Sequence, residues 1–329
     1  MEKGKDKKVC IITGANSGIG FETAKRMARK GFEVILACRS VDRGNEAVKR
    51  IKRKYSNAEV SFMTLNLASF KSIHEFVDNF HATGKPLSVL VNNAGLQTAV
   101  NGNDITFTDD GFELTFGVNH LGHFLLTTLL LENLKETAER LGEARVVVVS
   151  SSAHDPQTRA GRSGITRAQI DFDDLECIRR FTGDRAYKNS KLANVLFAYE
   201  LNRRLEGTKV TCNAMNPGLI PSTNFSRHQR IFLRCCFLCC CLTCGRCLGI
   251  SRTTSQGARC VTYLATSEAV KGVGGKYFQD CREIRSSVES YVENIAARLW
   301  EESTNMIAMD LTLPESDFGR DSLLPLRTL

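Results

Sequence analysis

A chain of 329 residues, 42% hydrophobic and 24% charged, can bury a sizeable core and reads as one globular domain. Its formal charge of +8 is spread over many segments, with clusters at Lys3, Lys5, Lys7 and Lys8 and at Arg227, Arg230, Arg234, Arg246 and Arg252, and no aromatic-interleaved basic motif goes with it, so no nucleic acid partner is expected. The N-terminal apolar stretch is too short for a secretion signal and no uncharged apolar run reaches the ~20 residues that span a bilayer, so a cytoplasmic protein is expected.

In chain order, the runs KVCIITG, EVILACR, VSFMTLNL, LSVLVNNAG, ARVVVVSSS and KVTCNAMNPG read as buried strands. Segments of helical periodicity lie between them, for example 20–30, closed by Gly31, and 42–55. Such alternation predicts an α/β fold, a doubly wound and mostly parallel Rossmann sheet with helices on both faces. The core is expected over 7–220. The rhythm breaks at 221–253, a cysteine-rich insertion, and resumes over 254–280 with a helix near 254–266 and a short strand at GKYF. Residues 281–329 are expected to form a helix over about 286–306 and a polar, peripheral tail containing Pro314 and Pro325.

TGANSGIG, residues 13–20, falls between the first strand and the first helix, where a phosphate-binding loop belongs. Gly14 permits a tight turn, Gly18 lets the backbone approach a pyrophosphate, and Gly20 allows the helix to pack closely on the strand, while the helix N-terminus favours the anion. The second strand ends in LACRS. An acidic residue there would accept hydrogen bonds from an unphosphorylated ribose, whereas an arginine pairs with a 2′-phosphate, so Arg39 predicts NADP(H) rather than NAD.

YKNSK places Tyr187 and Lys191 at i and i+4, on one helix face. In a cofactor cleft the ammonium of Lys191 would favour the phenolate and lower a pKa that is otherwise about 10, allowing Tyr187 to exchange a proton with an alcohol or carbonyl. The spacing alone also occurs in plain surface pairs.

Taken in order, TGANSGIG, NNAG at 92–95, VNHLGHF with Asn119, VVVVSSSAH, YKNSK and NPG at 216–218 resemble the short-chain dehydrogenase/reductase family over roughly residues 7–280. DDGFELTFGVNHLGHFLLTTLLL and AYKNSKLANVLFAYELNRRL look most like its retinol dehydrogenase and protochlorophyllide reductase-like branch. The resemblance implies that Tyr187 is the general acid/base and that Lys191 lowers its pKa and binds the nicotinamide ribose. Of the serines at 150–152, the SS-x-AH pattern of the branch puts polarisation of the substrate oxygen on Ser151, with Ser150 and Ser152 as strand-end neighbours. Asn119 matches the position that holds a proton-relay water, the alternative being a helix-interior hydrogen bond. The coenzyme contacts carried over are Gly14, Ser17, Gly18, Ile19, Gly20, Arg39, Asn66, Leu67, Asn92, Ala94, Gly95, Tyr187, Lys191, Pro217 and Gly218. Asn66, in LNLAS, stands where the branch commonly has aspartate, and its side-chain oxygen can still accept from the adenine amino group without the charge. His120 and His123 read as packing or capping residues, and no metal is assigned.

The expected activity is NADP-dependent hydride transfer between nicotinamide and a small hydrophobic alcohol or carbonyl compound of retinoid, steroid or lipid-aldehyde type. Two alternatives stay open, reduction of a carbon-carbon double bond and a non-catalytic coenzyme-binding scaffold. RCCFLCCCLTCGRC, residues 234–247, carries seven of the thirteen cysteines. Zinc needs about four well-placed ligands and Cys244-x-x-Cys247 supplies one pair, while a disulfide knot fits poorly with a reducing compartment. An apolar lid over a greasy substrate and an S-acylated peripheral membrane contact through 231–250 are the remaining readings. Both a homodimer and a monomer fit.

Overall fold

The computed structural model describes residues 7–98, 104–164, 166–221 and 251–310. Its centre is one eight-stranded sheet in the order β3-β2-β1-β4-β5-β6-β7-β8. The strands are β1 (Val9–Thr13), β2 (Glu33–Cys38), β3 (Val60–Thr64), β4 (Leu87–Asn92), β5 (Ala144–Val149), β6 (Val210–Asn216), β7 (Tyr277–Gln279) and β8 (Arg282–Ile284). All neighbours pair in parallel except β7 and β8.

Both sheet faces are covered, which is why the strands read as continuous apolar runs. Val9 and Ile11 of β1 and Val146 and Val148 of β5 point into one core layer. Cys10, Ile12, Val147 and Val149 point into the other. On the second face lie α1 (Gly18–Arg29), α2 (Val41–Lys54) and α7 (Thr254–Thr266). The first carries α3 (Phe70–His81), α4 (Leu114–Leu129), α5 (Leu131–Leu141), α6 (Gly183–Arg204) and α8 (Glu293–Asp310). Side-chain caps mark several starts: Ser40, Ser69, Thr182 and Thr253 each accept a backbone N–H of the helix that follows. Gly31, at φ 84°, ends α1 as its position predicts.

Helix α8 is part of the core rather than an appendage. Trp300 stacks on Phe197 of α6, with centroids 5.9 Å apart, and meets Phe124 of α4 edge-on at 4.8 Å. Ser303 hydrogen-bonds His120 at 2.9 Å.

Three boundaries differ from expectation. Helix α1 begins at Gly18, because the extended Ser17 is its N-cap. The C-terminal helix begins at Glu293 instead of near 286, since residues Val288–Tyr291 take a 3₁₀ turn and Ser286, Ser287 and Ser290 hydrogen-bond one another. Strand β8 was not expected, because Arg282 and Glu283 give it no apolar alternation at the sheet edge. Among the described residues no single helix is long and apolar enough to cross a membrane. The bent pair α4 and α5 passes by composition only, and its Leu121, Phe124 and Leu126 are core residues. The cysteine-rich stretch and the tail at 311–329, with the lid and membrane readings attached to them, lie outside the described residues.

Candidate active site

Strand order reverses between β1 and β4, so the loops leaving their carboxyl ends diverge and open a crevice there. The loops after β1, β4, β5 and β6 all reach this crevice. It has a coenzyme half and a proton-transfer half.

In the coenzyme half, Gly14 and Gly18 have φ of 65° and 58°, which side-chain-bearing residues rarely adopt. A Cβ on Gly20 would lie 2.6 Å from Nδ2 of Asn93 and 2.7 Å from the carbonyl oxygen of Gly14. These contacts make a backbone cradle at the N-terminus of α1, with the donors and dipole that suit a pyrophosphate. Thr13 anchors it. Its hydroxyl accepts the backbone N–H groups of Asn93 and Ala94, both at 2.9 Å, and Asn93 Nδ2 donates to the Thr13 carbonyl at 2.7 Å. Arg39 is exposed just past β2, two residues beyond Ala37, whose carbonyl accepts Gly14 N–H at 2.8 Å.

The proton-transfer half rests on α6. The Tyr187 and Ser151 hydroxyls hydrogen-bond each other, and Ser151 Oγ also accepts Ala153 N–H at 3.2 Å. Lys191 Nζ lies 5.6 Å from the Tyr187 ring centroid and donates to the carbonyl of Val149 at 3.2 Å. A Cβ on Gly95 would come within 3.3 Å of that Nζ, so glycine is what lets the loop after β4 approach it. Ser150 behaves as a strand-end neighbour, donating to the Lys191 carbonyl at 2.7 Å.

Electrostatics depart from the simple i, i+4 expectation. Burial pushes Tyr187 up to about 12, with only the Ser151 hydrogen bond working against it, and burial brings Lys191 down to about 8. Desolvation therefore outweighs the lysine's pull on the phenol.

Asn119 lies in a π-helical turn, Gly117–Leu121, within α4. Its side chain is fully engaged: Oδ1 accepts Leu96 N–H at 2.9 Å, and Nδ2 donates to the Leu96 carbonyl at 2.9 Å and to Ser190 Oγ at 3.0 Å. Ser190 in turn donates to the Tyr187 carbonyl at 2.7 Å. The Asn119 amide thus braces the loop after β4 against α6.

The short chain dehydrogenase family model matches residues 8–161. The chain is 40% identical to retinol dehydrogenase 12 of Mus musculus over 92% of its own length and 87% of that protein. It is 42% identical to the WW domain-containing oxidoreductase of Gallus gallus, over 92% of this chain and 69% of the other. Among solved structures, an uncharacterised protein of Mycobacterium paratuberculosis superposes with TM-score 0.68 at 30% identity, covering 92% of this chain and 94% of that one. A 3-ketoacyl-(acyl-carrier-protein) reductase of Brucella melitensis, solved in complex with NADH, gives TM-score 0.63 at 20% identity over 83% and 96%. The chain belongs to the short-chain dehydrogenase/reductase family, in its retinol dehydrogenase-like branch.

In this short-chain dehydrogenase/reductase two of the carried-over coenzyme residues, Asn92 and Leu67, turn their side chains into the core. The side chain of Asn92 is 2% exposed and donates to Thr127 Oγ1 at 2.8 Å, so it faces the core and not the crevice. Its neighbour Asn93 holds the loop instead. Leu67 likewise packs in the core. Asn66 Oδ1 already accepts Ala68 N–H at 3.3 Å, a long bond that leaves a second lone pair for adenine. Pro217 and Gly218 stand at the end of β6, where Asn216 Oδ1 accepts Gly218 N–H at 3.0 Å.

His123, expected as a packing or capping residue, also links two segments. Its Nδ1 faces the Asn119 carbonyl at 3.1 Å, and a carbonyl can only accept, so Nδ1 carries the proton. The bare Nε2 then accepts from the Thr13 hydroxyl at 2.9 Å. Burial keeps the ring neutral, with its pKa lowered to about 4. One imidazole thus joins the glycine loop to the π turn. Two further groups escaped notice in the sequence. Lys188 is buried, pairs with Asp184 at 2.8 Å and donates to the carbonyls of Ser163 and Thr166, tying the loop after Ser151 to α6. Glu113 caps the start of α4, accepting Thr115 and Phe116 N–H at 2.9 and 2.7 Å. The i, i+4 spacing of Asp184 and Lys188 and the capping position of Glu113 were the local signals that could have found them. Among the described residues no His, Cys, Asp or Glu group could hold a metal ion.

Proposed function

We propose that the enzyme transfers a hydride between NADP(H) and a small hydrophobic alcohol or carbonyl compound of retinoid, steroid or lipid-aldehyde type. The observation that carries this reading is the Ser151–Tyr187 hydrogen bond with Lys191 behind it, facing the same crevice as the glycine cradle. The cradle fits a nicotinamide dinucleotide. Gly14, Ser17, Gly18, Ile19 and Gly20 would hold the pyrophosphate, Arg39 the 2′-phosphate, Asn66 the adenine, Ala94 and Gly95 the adjoining ribose region, Lys191 the nicotinamide ribose, and Pro217 and Gly218 the nicotinamide. When bound, the coenzyme supplies or accepts the hydride.

The remaining work falls to the chain. In the reductive direction Tyr187 is protonated throughout the neutral range and can give its phenolic proton to the substrate oxygen. Ser151 donates a second hydrogen bond to that oxygen, stabilising the alkoxide-like charge that develops. Lys191, charged below about pH 8, favours the phenolate left behind. The Asn119 carbonyl is the point at which a proton could be returned toward Lys191, with the Asn119 amide fixing Leu96 and Ser190 around it.

Residues 221–253 are read as the substrate-side lid. The support is at its base, where Leu219 and Ser251 form a parallel bridge and Arg252 N–H donates to the Leu219 carbonyl at 2.7 Å. A cytoplasmic setting accords with the thiols, since all six described cysteines are free. Cell fractionation with the cysteines at 235–247 changed to serine tests peripheral membrane contact, and gel filtration tests a homodimer.

The decisive assay is a panel of hydrophobic alcohols and aldehydes with NADPH and NADH, followed at the coenzyme absorbance. Turnover with NADPH preferred is the expected result. A marked NADH preference would overturn the role of Arg39, and saturable coenzyme binding without turnover would favour the scaffold reading.

A further inference from the structure

Gln279 and Arg282 pair across the β7–β8 hairpin, so Asp280 and Cys281 alone make the turn, with φ of 51° and 65°. Two-residue hairpin turns of this kind need left-handed backbone at both positions, and for that reason Asn-Gly and Asp-Gly dominate them. Aspartate suits the first position. A cysteine at the second, where glycine carries no steric penalty, calls for something that holds it.

What holds it is a second thiol. The Cys281 N–H donates to Cys260 Sγ, on α7, at 3.4 Å, and the two thiol groups are in hydrogen-bond contact. Cys260 is 2% exposed and Cys281 partly exposed, while the other described cysteines, Cys10, Cys38, Cys177 and Cys212, are all buried. A reachable thiol touching a buried one is the arrangement that thiol-disulfide exchange requires, an attacking sulfur with a resolving sulfur behind it.

We propose that Cys260 and Cys281 form a reversible redox pair, closed to a disulfide by low-molecular-weight disulfides and reopened by thiols. The exchange has two steps. Cys281 loses its proton to solvent and its sulfur attacks one sulfur of the small disulfide, forming a mixed disulfide and expelling one thiolate, which takes up a proton. Cys260 then loses its proton and attacks Cys281 Sγ, forming the internal bond and expelling the second thiolate. Two protein thiols are oxidised and one small disulfide is reduced to two thiols. Burial pushes the Cys260 thiol up to about 12, so the second step quickens as pH rises.

The same turn reaches the base of 222–250, because Asp280 pairs with Arg252 at 3.1 Å. Closing the bond ties the hairpin to α7 and restrains that pair. The inference is independent of coenzyme and substrate.

The test treats the full folded chain with oxidised glutathione, alkylates the remaining thiols and maps peptides by mass spectrometry. A peptide joining 260 to 281, lost on reduction, is expected, as is slower trypsin cleavage after Arg252. In Cys260→Ser, Cys281 should keep a persistent glutathione adduct. In Cys281→Gly, whose glycine suits the backbone, Cys260 should stay unmodified. A wild-type protein with a lasting adduct on Cys281, or with both thiols alkylated, overturns the pair, and unchanged cleavage after Arg252 overturns its link to the base of 222–250. The wild-type map decides the matter even where a variant fails to fold.

Discussion

The two halves of the crevice hold their parts by different means. The coenzyme half is backbone: left-handed glycines, a Cβ-free approach at Gly20, and main-chain donors drawn onto the Thr13 hydroxyl. The proton-transfer half is side chain: buried Tyr187, Lys191, Asn119 and Ser190 with half-buried Ser151, held by bonds among themselves and to the main chain of Val149 and Leu96. The first should be sensitive to added volume, with side-chain charge entering only through Arg39. The second should respond to lost functional groups and to pH.

The largest effect should come from Tyr187→Phe, which removes the proton donor with little change of shape. Turnover should fall by about 10²–10⁴-fold while coenzyme affinity, measured by fluorescence titration, is kept. Equal losses in both would mean that the halves are not separable. Gly20→Ala makes the reciprocal cut. The added Cβ presses on Asn93 and Gly14, and coenzyme binding should weaken by roughly 1–3 kcal/mol of strain, with the pH profile unchanged. In carbonyl reduction the rate should decline as pH rises through about 8, by about tenfold per unit, as Lys191 loses its charge. Lys191→Arg, which stays charged, should move that decline upward, and a profile identical to wild type would exclude Lys191 as its source. The smallest effect should come from His123→Leu, which breaks two neutral hydrogen bonds worth about 1 kcal/mol each. Coenzyme affinity and turnover should then drop together, each severalfold, because the imidazole touches Thr13 on one side and Asn119 on the other. A change confined to one of them would show that it braces only one half.

The sheet was legible because parallel strands buried on both faces cannot hide their apolar runs, and the glycine loop because its positive φ values demand glycine. Spacing puts Tyr187 and Lys191 on one helix face, and the ordered set of motifs with its family resemblance singled the pair out. Their protonation behaviour could not be read this way, because it depends on burial supplied by residues far away in the chain. Asn92 and Asn93 show the limit sharply. Adjacent and identical, they point opposite ways, and only strand register decides which one meets the core. Lys188 and Glu113 were missed although their partners are local, Asp184 at i, i+4 and the N–H groups of Thr115 and Phe116, because neither spacing tells whether the charge will be buried.

The docking of α8 has a consequence for biosynthesis. Ala296, Leu299 and Trp300 seal the layer over Phe124 and Phe197, so residues about a hundred positions further along the chain complete a core that α4 and α6 begin. That face stays open during synthesis until α8 has emerged, and the domain can close only then. A premature stop ahead of Glu293 would leave every proposed catalytic side chain in the sequence and still expose aromatic surface to chaperones and proteases. Such a lesion would register as missing protein, with the chemistry untouched in whatever survives.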